Sequence, residues 1–517
     1  MVHLRSPGTM HRGFSADPEM AYFVDALSVF KGAGYTFVEH PGTPLSVLGT
    51  LAAAAAHPLL LRDPQALVDA NLRDPSTFMT LVHALLLAGG AAAIVVLSRL
   101  TALRGPADAL LAVAVPASFF AAFPQSFVTL VYWSHNSFAL AGGTLVLAGL
   151  FFALRGPEPS GRALAGLGLC AGALAAVQLY FAAWTIGLAL ACALAAWPRG
   201  ARTALVSVLQ VVVGAAAGFV AATVPVLPRF PGFLRFVVRL LGHQGLYGTG
   251  GAGVTTAPLW LDNVRALAAR APVLFVAVPL LAAAIGAAAL APAARRAHSR
   301  LLAAALGALL TWLLLLAAVG KHPSVFYLPA LAAPLPLLLA AAFALWAHRA
   351  RAARALCLGV AVAALVGAAV NGGRALRAQR DRVAFRVGLD AAVGAYLAQH
   401  GAAALPDGRV GFVLWGAGMG EAHCYPLWVG ASYASPALQA DVARACPGQG
   451  IAWPRGTVVP AEASGRGVFI ALDGAAAALP NAAAIGPADE VRSVGPTGAR
   501  VAFHRVDVSA GRLETRP

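Results

Sequence analysis

LLAAALGALLTWLLLLAAV, residues 301–319, carries no charged side chain and no proline, and as one helix it is long enough to cross about 30 Å of hydrocarbon. Similar runs flank it on both sides, with approximate limits 78–97, 107–123, 137–154, 164–181, 183–197, 203–227, 272–293, 325–347 and 355–371. The stretch 45–61 is interrupted by His57-Pro58 and preceded by Pro44, so it reads either as a further span or as a re-entrant or interfacial helix. Apolar residues make up 59% of the chain and charged residues 11%, with mean hydropathy +0.74. Soluble domains carry about a quarter charged residues, so these values describe an α-helical polytopic membrane protein with about 10 to 11 spans.

A net charge of +16 raises nucleic acid as a partner. The arginines are instead dealt into short connections: Arg99 and Arg104, Arg155 and Arg162, Arg199 and Arg202, Arg295 with Arg296 and Arg300, and Arg349 with Arg351 and Arg354. They occupy every second loop, and by the positive-inside rule those loops are cytoplasmic. This distribution argues against nucleic acid and for a multi-pass protein of the plasma (inner) membrane. The intervening loops, around Gln125–Asn136, Ala182, Arg229–Arg270 and Lys321–Ser324, then lie outside, together with the N-terminal segment and the C-terminal tail. A translocated N-terminal segment needs a membrane helix or signal ahead of it, and residues 1–16 supply neither. The expectation is that an upstream membrane helix has either been lost or lies ahead of Met1; an apolar segment encoded in frame upstream would support it, and a reporter placing Asp17 in the cytoplasm would sink it.

From about Gly372 the spans stop, and charged residues, Gly and Pro rise. This divides the chain into a transmembrane domain, 1–371, and an extracytoplasmic domain, 372–517, of ordinary domain size. In the second, the strand-like runs RVGFVLW (409–415), GVFIALD (467–473) and ARVAFHRVDV (499–508) accompany an Ala-rich helical piece at 383–399, which implies an α/β fold. Cys170, Cys192 and Cys357 fall in spans and read as small buried apolar groups. Cys424 and Cys446 fall in the outer domain, where a disulfide is permitted. The GAGMGE stretch at 416–421 follows a strand but is not a nucleotide-binding GxGxxG pattern, and it reads as a turn.

The chemistry-bearing segment is DPEMAYFVDALSVFKGAGYTFVEHPGTPL, residues 17–45. Asp17 and Glu19 precede Tyr22 and an amphipathic stretch from Ala21 to Phe30, then come Tyr35, Glu39 and His40-Pro41. A carboxylate at a membrane surface can take the proton from a hydroxyl, and the aromatics can flank a sugar-like ring. The same residues also suit a plain helix start, with Pro18 in the first turn and acids at the positive end of the dipole.

An acidic pair before a Tyr, and a Tyr-x-x-x-x-His-Pro turn leading back to the membrane, resembles the first outer loop of the GT-C glycosyltransferases. The resemblance is to the branch that includes protein O-mannosyltransferases, lipid A aminoarabinose transferase and lipopolysaccharide core galacturonosyltransferases. RFVVRLLGHQGLYGTGG (235–251) is similar to the long outer loop of a bacterial branch, and KHPSVFYLPAL (321–331) to the later Lys/Arg-bearing loop before a span. The family usually carries a membrane helix before the acidic loop, and its acids are adjacent, whereas Pro18 separates Asp17 from Glu19.

The resemblance implies a GT-C-like fold and transfer of a sugar, with inversion, from a polyprenyl-phosphate donor to an extracytoplasmic acceptor. Asp17 or Glu19 would be the base. Tyr22, Tyr35, Glu39, His40, His135 (in YWSHNS), His243 and Tyr247 would line the substrates, and Arg235, Arg239, Lys321 and His322 would hold the donor phosphate. Lys31 and Lys321 are the only lysines of the chain, both fall in the marked loops, and a compact ammonium suits a phosphate. The spacing of His40, His135, His243 and His322 demands no metal, so no cofactor is called for, and a divalent cation is left open. The competing class is a transporter or flippase, which would show internal repeats and ionisable groups at mid-bilayer. No such repeat is visible.

Overall fold

The computed structural model describes residues 19–37, 42–101, 106–130, 132–155, 159–244, 251–321, 323–346, 351–400, 412–416, 424–432, 434–453, 456–458, 465–475, 485, 487–494, 498–509 and 512–513. Among these, eight helices are long and apolar enough to cross a membrane: Ser76–Arg99, His135–Leu154, Leu179–Arg199, Ala201–Gly242, Pro272–Leu290, Ser299–Val319, Val325–Trp346 and Leu358–His400. The chain is a polytopic α-helical membrane protein. Two expected spans are helical but shorter, Pro106–Ala121 at 16 residues and Gly161–Val177 at 17. The first contains Pro116 and stops before Pro124, and the second ends where Gln178 turns to extended backbone. The ambiguous stretch forms a 14-residue helix, Thr43–Ala56, which ends at His57-Pro58.

The chain divides into two compact units, one of residues 1–37, 46–83 and 376–517, the other of residues 38–45 and 84–375. Within the second, helices Gly161–Val177 and Ala201–Thr223 interlock through two small-residue motifs, Gly168-x-x-x-Gly172 and Gly214-x-x-x-Gly218. A Cβ at Gly168 or Gly172 would overlap the backbone of Val211 or Ala215, and one at Gly214 or Gly218 would overlap Ala165 or Leu169. Lipid tails are as apolar as leucine, so helices in a bilayer gain little by burying apolar side chains against each other. Close backbone approach through glycine supplies the dispersion contact instead. Gly187 meets Gly307 and Thr311 in the same manner and joins helix Ala182–Ala196 to Ser299–Val319.

The first unit holds a mixed sheet of strands β1 (Phe412–Trp415), β2 (Gln449–Trp453), β3 (Gly456–Val458), β4 (Gly465–Leu472), β5 (Glu490–Val494), β6 (Ala499–Ser509) and β7 (Arg512–Leu513). Their order is β3-β2-β1-β4-β6-β5, with β7 on β6; β1 runs parallel to β2 and β4, and the other pairs are antiparallel. Val468, Phe469, Ile470, Leu414, Ile451 and Phe503 are buried in its core. Helices Tyr425–Ala431 and Pro436–Ala445 connect β1 to β2, and the Cys424–Cys446 disulfide closes that connection with Cα atoms 6.1 Å apart.

The helical piece expected at 383–399 is the end of one 50-residue helix, Arg351–His400. Gly372-Gly373 does not end it, because Gly372 faces the Phe127 ring and the Arg- and Ala-rich residues that follow favour helix. The GAGMGE stretch lies outside the described residues apart from Gly416, whose Cβ would overlap the Phe469 ring.

Candidate functional site

Asp17, Glu39, His40, Tyr247 and His322 lie outside the described residues. Glu19 is fully buried ahead of helix Ala21–Ser28, with its Oε1 3.0 Å from His83 Nε2, which is equally buried. A carboxylate is costly to bury unless it is hydrogen-bonded, so His83 fixes where Glu19 points. Tyr22 is buried edge-to-face against Phe37 at 5.4 Å. The Tyr35 hydroxyl lies 3.0 Å from Thr50 Oγ1, and burial pushes its pKa up.

Between these residues sits an acid that the sequence reading passed over. Asp25 is 2% exposed and accepts four hydrogen bonds. Thr36 N (2.5 Å), Thr36 Oγ1 (3.0 Å) and Phe37 N (2.9 Å) donate to Oδ1, and Ser46 Oγ donates to Oδ2 at 2.6 Å. Burial raises its pKa, and the same donors oppose the rise by favouring the carboxylate. With its lone pairs engaged by loop and helix, Asp25 pins the segment after Gly34 onto the helix, and it is placed as a structural clasp. Its apolar neighbours along the helix gave no local signal.

Lys31 is engaged on the same unit. Its ammonium lies 3.1 Å from Asp441 Oδ2 and donates to Gln65 Oε1, while Arg444 pairs with Asp441 and, at 3.6 Å, with Asp69. The Asp441 side chain is 1% exposed. Two cations and an amide thus gather round one buried carboxylate. Helix Tyr425–Ala431 seats against helix Ala21–Ser28 closely enough that a Cβ on Gly430 would overlap the Met20 carbonyl.

In the other unit, three loops that the charge pattern puts on one membrane face meet at one end of the bundle. His135 opens the span His135–Leu154, after Ser134 accepts from Asn136 N. Its ring stacks on Tyr327 at 5.6 Å, Tyr180 lies edge-on to Tyr327 at 5.8 Å, and Phe181 stacks on Trp184 at 4.5 Å. Asn136 and Gln178 are buried beside these elements. Tyr180 and Gln178 were not singled out from sequence; the one available signal was QLYF, a polar residue where an apolar run breaks.

Lys321, in the same loop as Tyr327, donates to the Leu240 carbonyl near the C-terminal end of helix Phe230–Gly242. Burial lowers its pKa. That helix buries Phe233 and Phe236 and exposes Arg235 and Arg239, as an interfacial helix does. Trp260 Nε1 donates to Ala317 O at 3.1 Å and Asn263 Nδ2 to Gly320 O at 2.9 Å, so helix Ala257–Arg270 braces the same corner. His243 Nδ1 lies 3.0 Å from the Arg239 carbonyl, and its backbone pairs with Ala252. The structure therefore brings Lys321 to the helix of Arg235 and Arg239, while His135 and His243 are engaged by different partners. Among the described residues no group of three His, Cys, Asp or Glu side chains could hold a metal.

No protein-family model matches the chain, and no curated protein matches it. Among solved structures it is similar to the crystal structure of ArnT from Cupriavidus metallidurans bound to undecaprenyl phosphate. Sequence identity is 15% over 98% of this chain and 96% of that one, with a TM-score of 0.47.

Proposed function

We propose that the protein is a GT-C-type glycosyltransferase of the plasma (inner) membrane. In this reading it transfers a sugar from a polyprenyl-phosphate donor to a glycolipid, glycan or protein acceptor outside the cytoplasm, where the N-terminal segment and the C-terminal domain also lie. The observation that carries the reading is the meeting of Lys321 with the helix of Arg235 and Arg239, in the loop that also supplies Tyr327 to the aromatic cluster. Cations at headgroup level suit a lipid phosphate, and aromatic faces beside them suit a sugar ring.

The chemistry then runs in one displacement. Asp17 takes the proton of the acceptor hydroxyl as its oxygen bonds to the anomeric carbon. The bond from that carbon to the phosphate oxygen breaks with inversion, and the lipid phosphate leaves with the electron pair, stabilised by Lys321, Arg235, Arg239 and His322. Glu19, held by His83, is the alternate base. The C-terminal domain shapes acceptor binding.

The test compares glycolipids and glycans of a deletion strain by mass spectrometry, then assays the purified chain with polyprenyl-phosphate sugars. Asp17→Asn is expected to lower turnover at least about a hundredfold with donor affinity retained. Near-normal activity in both Asp17→Asn and Glu19→Gln would remove both acids from the mechanism. Lipid scrambling without transfer would make the protein a flippase.

A further inference from the structure

A cavity of about 520 Å³ lies among helices Pro106–Ala121, Pro272–Leu290, Leu335–Trp346 and Arg351–His400. Its walls are apolar apart from Ser118, whose hydroxyl is turned back onto the Val115 carbonyl at 2.7 Å. It opens sideways, because Val276 and Leu280 on one wall are more than half exposed on the bilayer-facing side of their helix. Water has no partner there, so in a membrane the occupant is hydrocarbon.

Its dimensions select the kind of hydrocarbon. The wall from Pro272 to Leu281 spans about 13 Å at 1.5 Å per residue, close to half of the roughly 30 Å hydrocarbon core. A cavity of this size is many times the ~30 Å³ that a water molecule takes in the liquid, and so is ample for an alkyl chain. A wall of that length matches one fatty-acyl chain within one leaflet.

The mouth supplies the charge. Pro272 begins its helix two residues after Arg270, which is exposed. On the facing helix, Gly367 lines the cavity and Arg374, also exposed, lies seven residues on, hence on the same face and about 10 Å nearer the membrane surface. Between them Asn371 donates to the Phe120 and Ala121 carbonyls at 3.0 and 3.1 Å and fixes the rim. We infer that this groove holds one acyl chain of an anionic glycerophospholipid, with its phosphate between Arg270 and Arg374. The inference rests on the membrane fold alone and not on glycosyl transfer.

The full chain, purified in detergent, is titrated with dioleoylphosphatidylglycerol, with dioleoylphosphatidylcholine and with a polyprenyl phosphate, and bound lipid is counted by native mass spectrometry. The wild type is expected to retain one phosphatidylglycerol in preference to phosphatidylcholine. Ala363→Phe and Ala277→Phe, which fill the groove from opposite walls, should each weaken that retention at least tenfold. Arg270→Ala with Arg374→Ala should remove the preference between the two headgroups and leave the chain bound. Retention of phosphatidylglycerol at wild-type strength in either folded filling variant would overturn the assignment. So would polyprenyl phosphate displacing phosphatidylglycerol at equal concentration from the wild type but not binding the filled variants, an outcome that would give the groove to the longer lipid.

Discussion

The seam between helices Gly161–Val177 and Ala201–Thr223 and the surroundings of helix Ala21–Ser28 are both tightly packed, by opposite means. At the seam four glycines let two backbones approach, and a side chain at any of them would collide with a carbonyl. Around Ala21–Ser28 the buried groups include two carboxylates, each held by donors, Glu19 by His83 and Asp25 by Thr36, Phe37 and Ser46. Where apolar burial gives helices no preference for one another, shape does the selecting. Where a loop must be fixed to a helix, a buried acid with matched donors does it, because each unmatched donor would cost about 1–3 kcal/mol.

The sharpest way to break the contrast is a single side chain at the seam. Gly172→Leu puts its Cβ into the Ala215 carbonyl, and backbone cannot yield as a flexible side chain does. The expected loss is about 3 kcal/mol or more, at the upper end for overpacking, read as a fall in thermal midpoint of the detergent-purified protein. Gly166→Leu is the control, since a Cβ there meets nothing within 4 Å. Equal stability of the two variants would mean that the seam does not hold the helices together.

The acid clasp should respond less strongly but with a pH signature. Asp25→Ala strands the amides of Thr36 and Phe37 and is expected to cost about 2–3 kcal/mol, with faster hydrogen exchange at those two amides. The folded state raises the Asp25 pKa above its ordinary 3.8, so between the unfolded and folded values the native state binds the extra proton. Stability from this group is therefore fully present below about pH 4 and is lost as pH rises through the raised folded value. Asp25→Asn does not titrate, so the wild type should lose stability relative to it on going from about pH 4 to 7. A constant difference across that range would remove the burial effect.

The same contrast explains what could be read from the chain. Spans announce themselves through unbroken apolar runs, and each of the ten runs is helical; what the runs did not carry was length, since the stop ahead of Pro124 and the break at Gln178 shorten two of them. The motifs Gly168-x-x-x-Gly172 and Gly214-x-x-x-Gly218 are visible as strings, but a string does not name its partner helix. Asp25 was illegible for a related reason. Its donors lie 11 to 21 residues away, beyond any local spacing rule. The acidic segment itself stood out because charge is rare in this chain, whereas β2, β3 and β5 are short strands with weak alternation. The continuity of Arg351–His400 was hidden because from about Gly372 the apolar run stops and charged residues, Gly and Pro rise, as at a domain boundary.

Lys31 gives the smallest of these effects and separates rarity from role. It shares its scarcity with Lys321, yet it sits on Asp441, whose side chain is 1% exposed and is also met by Arg444. Removing one of two cations from a buried carboxylate leaves the charge partly compensated, so Lys31→Ala is expected to cost about 1–2 kcal/mol, less than stranding Asp441 altogether would. The exposed Arg265–Asp262 pair, at 76% and 67% side-chain exposure, is the comparison, and Arg265→Ala should change stability by less than about 0.5 kcal/mol. Chemical unfolding of both variants measures this, and donor binding measures the rest. Lys31→Ala should leave affinity for a polyprenyl-phosphate sugar unchanged, whereas Lys321→Ala should weaken it. Loss of donor affinity in Lys31→Ala at undiminished stability would move Lys31 from the fold to the phosphate.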